Sequence, residues 1–392
     1  MDRKAILFVN HTASRTGAPM SLLRFLKWFK TNTDIPFQVL LQSGGELLPE
    51  FEALAPVSVL YRESFPQLMI GRNVLGAFGV KKIANMVYLK ALKETLIRRN
   101  IGLIYSNTAA NGEVLEFLSK LACPVISHIR ELEYYIRYHI GKEDFERVKK
   151  YTHRYIAISK AVKRNLIENH NIAENVIDIV YNFLSGPSYP VQHAQQVYAE
   201  IRKRLQLPEK AFIVCASGTT DWRKGPDIFL QLAYFVRTHH PRLPVYFLWV
   251  GGENHGRNFG RLWYDVKRLG LEDAIRFLGV QSNPLEYFAA CDVFAMVSRE
   301  EPFGLVCIEA ASVGKPVVCF DGAGGAQEFV EDDCGYVVPY LDVEAMATKI
   351  VAMLTLPERR ARLGQRAQQK VAERHAVEIV APKIFHIIQQ FW

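Results

Sequence analysis

No run of apolar residues in this sequence approaches the ~20 that a membrane-spanning helix needs, and no low-complexity tract interrupts it. It opens on Met1-Asp2-Arg3-Lys4, and the apolar stretch 5–9 is too short for the core of a secretory signal. Cysteine is scarce: Cys123, Cys215, Cys291, Cys307, Cys319 and Cys334 form no C-x-x-C pair and have no histidines at zinc spacing. A disulfide scaffold and a zinc ribbon are thereby excluded, and buried free thiols in a reducing cytosol are expected. Asp-x-Asp is absent, and the acidic trio Glu331-Asp332-Asp333 reads as a polar turn, so no metal site is expected. No G-x-G-x-x-G follows the first strand, which counts against a dinucleotide enzyme.

What is present is a chain of 392 residues, 49% apolar, enough for two domains with large cores. Its net charge of +8 is unevenly spread. Residues 1–185 hold 25 Lys and Arg against 17 Asp and Glu, whereas 186–392 hold 23 of each. Within the first half, segment 62–99 carries eight bases and two acids, which favours an anionic partner. Its Phe65, Leu68, Met69, Ile70, Leu75 and Phe78 could enter a membrane interface while the bases meet lipid phosphates. A basic helix pair with those residues in the core reads equally well. The bases lack the interleaved aromatics of an RNA module, so no nucleic-acid partner is expected.

Short apolar runs alternate with helix-like segments. Strand candidates are 5–10, 37–41, 57–61, 102–106, 124–127 and 155–158, then 212–216, 245–250, 275–278, 293–296, 316–320 and 335–338. Runs apolar on both faces with helices between them predict parallel sheets covered by helices, and two such series predict two doubly wound domains. Gly186, Pro187 and Pro190 break regular structure and place a linker between 1–185 and 186–378. The final stretch, 379–392, reads as an amphipathic helix.

The strongest chemical signal is Ser298-Arg299-Glu300-Glu301-Pro302-Phe303-Gly304-Leu305, leading into a helix that carries Glu309. The pattern places Glu301 in the loop after a strand and Glu309 more than a turn inside the helix. Between them the amides of Phe303, Gly304 and Leu305 open a helix N-terminus, where an anion is favoured. Two carboxylates flanking such a helix end suit a nucleotide-sugar, one acid for sugar hydroxyls and one for ribose hydroxyls. Two glutamates eight apart also arise by chance. Gly314-Lys315-Pro316-Val317 and a glycine-rich loop ending in Glu328 follow. With these, the chain resembles glycosyltransferase family 4: Glu301, Phe303, Gly304, Glu309, Ala310, Gly314, Pro316, Val317 and Glu328 match position by position.

That resemblance implies a GT-B fold, α/β, with two facing Rossmann-like doubly wound domains and a cleft between them. Domain 1–185 would bind the acceptor and 186–378 the donor, with helix 379–392 returning to the first domain. It also implies a retaining transfer of a hexose from a nucleotide-diphosphate sugar, UDP-glucose as best guess, to a carbohydrate or lipid-linked acceptor in polysaccharide or glycolipid synthesis. No cofactor is implied, and the place would be the cytoplasm, at most peripheral on the inner face of the membrane. The rival from another class is a non-catalytic nucleotide-sugar-binding subunit of a glycosyltransferase complex.

Further residues take roles within that frame. Gly218 to Gly225 follows a strand and holds Arg223 and Lys224, a cation pair where a diphosphate could sit, although in most proteins such a pair is only solvated. Fixed cations there gain value as the leaving diphosphate gains charge. The family commonly places an Arg where Thr219 stands, so Arg223 is the weaker of the two. Gly17 and Ala18, after the first strand, fit the family's loop opposite the donor phosphates, and an ordinary turn fits as well. His128 matches a histidine that contacts the transferred sugar, with Arg130 and Glu131 as supporting groups. Gly251 and Gly252 resemble the loop near the diphosphate, and Gly279-Val280 the segment whose backbone reads the base.

Overall fold

The computed structural model describes residues 4–61, 80–186, 191–208 and 210–392. The chain divides into two compact units: residues 1–158, 162–180 and 381–392 form the first, and 159–161 with 181–380 the second. The crossing thus falls at 180/181, where the sequence places it at 185/186. Apolar residues of segment 62–99 named as membrane-facing lie outside the described residues.

The first unit is a seven-stranded parallel sheet. Its strands are β1 (Ala5–Asn10), β2 (Phe37–Leu41), β3 (Val57–Val59), β4 (Ile101–Ser106), β5 (Val125–Ile129), β6 (Arg154–Ala157) and β7 (Ile177–Ile179), in spatial order 3-2-1-4-5-6-7. Every residue of β1 is buried, as a central strand covered by helices on both faces requires. Phe8 on β1 meets Phe25 and Phe29 of helix Gly17–Asn32 edge-on, at 6.0 and 5.6 Å. Burying each such ring contributes about 1.5–3 kcal/mol before conformational entropy is charged. The last helix, Val377–Gln389, sends Phe385 against Trp28 and Phe29, so residues 381–392 belong to this unit.

The second unit holds a six-stranded parallel sheet. Its strands are β8 (Phe212–Ser217), β9 (Val245–Val250), β10 (Ile275–Phe277), β11 (Val293–Met296), β12 (Val317–Phe320) and β13 (Gly335–Val338), in order 10-9-8-11-12-13. Phe229 of helix Pro226–His239 packs on Phe247 and Trp249 of β9 at the centre of its core. All six cysteines are free, five of them buried.

In both sheets the strand order reverses once, between β1 and β4 and between β8 and β11. Helices diverge to opposite faces at such a switch point and leave a crevice at the strands' C-terminal ends, where open α/β sheets take their ligands. The residues the sequence marks as chemical lie at the C-terminal ends of β1 and β5 in the first sheet and of β8, β9, β10 and β11 in the second.

Candidate active site

At the second unit's switch point the chain leaves β8 through Gly218, forms a single turn at Trp222–Lys224, and enters helix Pro226–His239. Asp221 caps the turn by accepting from the Arg223 amide at 2.9 Å. Gly225 ends it in the left-handed region at φ +73°, and a Cβ there would lie 2.2 Å from the Val297 carbonyl oxygen. Only glycine combines that conformation with so close an approach to the loop after β11.

That approach brings Lys224 to Glu301. The Lys224 ammonium donates to Glu301 Oε2 at 2.5 Å, and Ser298 Oγ lies 3.4 Å from the same oxygen. Glu301 is 6% exposed. Burial works to raise its carboxyl, but the charges of Lys224 and Arg223 and the bonds from Lys224 and Ser298 outweigh it, holding the group below its ordinary range. Arg223 sends Nη1 to the Glu300 carbonyl at 3.1 Å. Glu301 is also fixed through its backbone, which donates to the Ala323 carbonyl at 2.7 Å and accepts from the Gly325 amide at 2.9 Å.

Arg299 ties the same two loops together and carried no signal in the sequence. Its guanidinium takes Asp227 with two bonds, at 2.9 and 2.6 Å, donates to the Trp222 carbonyl at 2.7 Å, and lies 4.9 Å from the centre of the Trp222 ring. Its backbone amide donates to the Arg223 carbonyl at 2.8 Å. Asp227 is correspondingly held below the usual carboxylate range: burial opposes ionisation, and the Arg299 bonds overcome it.

Gly304, at φ +83°, precedes helix Leu305–Ser312, one residue later than the sequence suggests. Glu309 is half-buried on that helix. The Phe303 ring is buried against Tyr181 and His375, so of this residue only the backbone remains to meet a ligand. Gly251 and Gly252 close onto the β8 loop: a Cβ on Gly252 would lie 2.7 Å from the Thr220 amide, and the Gly251 amide donates to the Gly279 carbonyl at 2.8 Å. Val280, beside it, is 83% exposed. Lys224, Arg223, Glu301, Gly251, Gly252, Val280, Gly304 and Leu305 therefore all lie on loops or helix ends following β8, β9, β10 and β11, and Glu309 lies on the helix that follows β11.

Two further anchors belong to this unit. Ser159 Oγ donates to the Pro302 carbonyl at 2.6 Å, and Glu328 accepts from the Lys160 and Ala161 amides, each at 2.9 Å. Two of the acidic trio, Glu331 and Asp333, are engaged by Lys370, whose buried ammonium donates to the Phe329 carbonyl, to Glu331 at 2.8 Å and to Asp333. Among the described residues no group of three or more His, Cys, Asp or Glu is placed to hold a metal ion.

The first unit's switch point carries its own polar cluster. His128, at the end of β5, is buried, and Nδ1 of its ring faces the Tyr105 hydroxyl at 2.6 Å and Arg130 Nη2 at 3.2 Å. Arg130 Nε donates to Asn107 Oδ1, and Asn107 Nδ2 donates to Asn10 Oδ1 and to the Ala18 carbonyl at 2.8 Å. One chain of hydrogen bonds thus joins His128 to Ala18. Glu131 accepts from Thr108 Oγ1 and from the amides of Ala109 and Arg130. Gly17 begins helix Gly17–Asn32, and a Cβ on it would meet nothing within 4 Å, leaving open space at that helix end.

Residues 197–370 match the family model described as glycosyl transferases group 1. The D-inositol 3-phosphate glycosyltransferase of Salinispora tropica is 30% identical over 227 residues, 55% of this chain and 46% of that protein. The N-acetyl-alpha-D-glucosaminyl L-malate synthase of Bacillus anthracis is 29% identical over 223 residues, 56% of this chain and 55% of that protein. The chain spans about half the length of the curated relatives it matches. Among solved structures, Anabaena Alr3699/HepE in complex with UDP and glucose aligns with a TM-score of 0.80 at 23% identity, over 98% of this chain and 99% of that one. The fold is GT-B, with two Rossmann-like domains.

Proposed function

We propose that the chain is a retaining glycosyltransferase that moves a hexose from a nucleotide-diphosphate sugar to an acceptor hydroxyl in polysaccharide or glycolipid synthesis. The observation that carries this reading is the Lys224–Glu301 pair, set at a switch point inside the segment that matches the glycosyl transferases group 1 model. UDP-glucose is the donor we favour; HepE, of the same fold, binds UDP and glucose.

The donor lies along the C-terminal ends of β8 to β11. Val280 and Gly279 take the base, Glu309 the ribose hydroxyls, and Gly251, Gly252 and the amides of Phe303, Gly304 and Leu305 the diphosphate. Lys224 and Arg223 meet the charge that grows on the diphosphate as the bond from the anomeric carbon to the phosphate oxygen breaks. Fixed cations there lower the barrier because they bind the transition state more strongly than the ground state. The acceptor oxygen then bonds to that carbon on the face the diphosphate has just left. Its proton passes to a phosphate oxygen. Glu301 is ill suited to be a covalent nucleophile, since the Lys224 ammonium and Ser298 Oγ both hold Oε2 of its carboxylate; Oε1 is left to orient the hexose. The diphosphate charge is met without a metal or any other cofactor.

The acceptor, carbohydrate or lipid-linked, belongs to the first unit. Part of the basic segment 62–99 is spent inside that unit, since Arg99 donates to Gln38 at 2.6 Å and Lys93 lies over the Phe117 ring. The remaining bases are proposed to face an anionic membrane, a claim that salt-insensitive, equal binding to neutral and anionic vesicles would end.

A panel of nucleotide-sugars screened by thermal stabilisation tests the donor assignment. A ligand at about 100 times its Kd adds about 2.7 kcal/mol to stability. UDP-glucose is expected to raise the melting temperature more than the GDP-, ADP- and CMP-linked sugars do. Stabilisation by another nucleobase alone would reassign the donor.

A further inference from the structure

One ring nitrogen at the end of β5 has no partner among the described residues. His128 Nε2 is buried and meets no hydrogen-bonding atom among the described residues, while Nδ1 of the same ring has two neighbours. What those neighbours permit fixes the state of the ring.

A guanidinium nitrogen donates and cannot accept. With Arg130 Nη2 at 3.2 Å from Nδ1, a proton on Nδ1 would face an N–H of a cation. The Tyr105 hydroxyl, 2.6 Å away, could by itself either donate or accept; beside Arg130 it can only donate. Nδ1 is therefore the acceptor, and the ring proton sits on Nε2. Other groups around the ring do not oppose this. In register on β6 is apolar Ile156, and the carboxylate of Glu131 is turned to Thr108 and to backbone amides. Burial and the Arg130 charge both push the imidazole away from protonation, well below its ordinary range.

We infer that Arg130, with Tyr105, is a positioning pair that holds His128 as a neutral Nε2–H tautomer, so that His128 serves as a hydrogen-bond donor to a ligand oxygen and not as a proton acceptor. The ligand oxygen is a sugar or acceptor hydroxyl, and this part rests on the transferase reading. A donor left unpaired in a buried place costs free energy that a ligand oxygen would recover. His128 then contributes by orientation, and the acceptor's proton must go elsewhere, in keeping with its passage to the departing phosphate.

Long-range proton–nitrogen spectra of protein labelled with ¹⁵N-histidine test the tautomer, with His128→Gln assigning the signal. The expected pattern is protonated Nε2 and bare Nδ1, unchanged from pH 8 to pH 5.5. A proton on Nδ1, or an imidazolium anywhere in that range, would overturn the inference. Arg130→Met should free the ring, bringing its titration into that range or moving the proton to Nδ1; an unchanged signal would show that Arg130 does not set the tautomer. Should that variant not fold, the wild-type spectrum decides alone.

Activity provides the second readout. The Gln side-chain amide can present an N–H close to Nε2 but cannot act as a base. His128→Gln should retain at least ten-fold more kcat than His128→Leu, and equal losses would contradict the donor role. The spectra need no substrate. A protein inert toward every nucleotide-sugar therefore ends the transferase reading, while the spectra still decide the tautomer.

Discussion

The Lys224 ammonium, 2.5 Å from the Glu301 carboxylate, joins two loops 77 residues apart in sequence. The two side chains are 15% and 8% exposed. Removing one partner of so buried a pair strands the other's charge, at a cost of about 3–5 kcal/mol, whereas removing both restores much of that. Lys224→Met and Glu301→Gln should each lower stability, and the double variant should be more stable than either. Activity should not recover with it. Chemical denaturation and steady-state turnover on the three variants check this, and stability losses that simply add would show that the pair is not coupled.

Gly225→Ala should destabilise the second unit by at least about 2 kcal/mol, since it combines a strained φ with a backbone clash. In a unit of this size that is a fall of roughly 4–8 °C in melting temperature. The clash is with Val297, which opens the loop bearing Ser298 and Glu301, so turnover should fall as well. A variant that melts with the wild type would mean the two loops are not held as described.

Glu309→Gln should raise the donor KM about ten-fold with kcat little changed, because a ribose contact is similar in ground and transition states. Equal losses in kcat and kcat/KM would place Glu309 nearer the reacting carbon.

Acid stability should depend on Asp333. Burial works to raise its carboxyl, but hydrogen bonds from Lys370 and Arg366 prevail and bring it down to about 2. A carboxyl depressed in the folded state contributes stability that is fully present above its unfolded value near 3.9 and is lost as the pH falls through about 2. The urea midpoint of Asp333→Asn should lie below that of the wild type at pH 5, with the gap closing toward pH 2. A gap constant across that range would assign the effect to packing.

Much of this was legible in the sequence where pattern and chemistry coincide. Of the thirteen strands among the described residues, twelve stand out as runs apolar on both faces, the signature of a covered parallel sheet. The exception is β7, three residues long at the sheet edge, where Asp178 breaks the run in order to pair with Arg154 on β6. Gly225, Glu301 and Gly304 were visible because glycine at a strand-to-helix turn and a carboxylate beside it are local signals. Arg299 with Asp227, and Ser159 with Pro302, were not: those pairs are 72 and 143 residues apart and none has a distinctive neighbourhood. Tyr105 reads from sequence as one more apolar strand residue, and only the β4–β5 pairing brings its hydroxyl to His128.

The central claim is that the cleavage of a nucleotide-diphosphate sugar occurs at Lys224. The most direct measurement is release of nucleoside diphosphate from the donor by wild type and Lys224→Ala, at saturating donor and with EDTA present. Wild type should turn over under these conditions. Lys224→Ala should lose on the order of 10²-fold or more in kcat, about 2.7 kcal/mol of barrier, while still binding UDP. A Lys224→Ala enzyme with wild-type turnover, or a wild type silenced by EDTA and restored by magnesium or manganese, would contradict it.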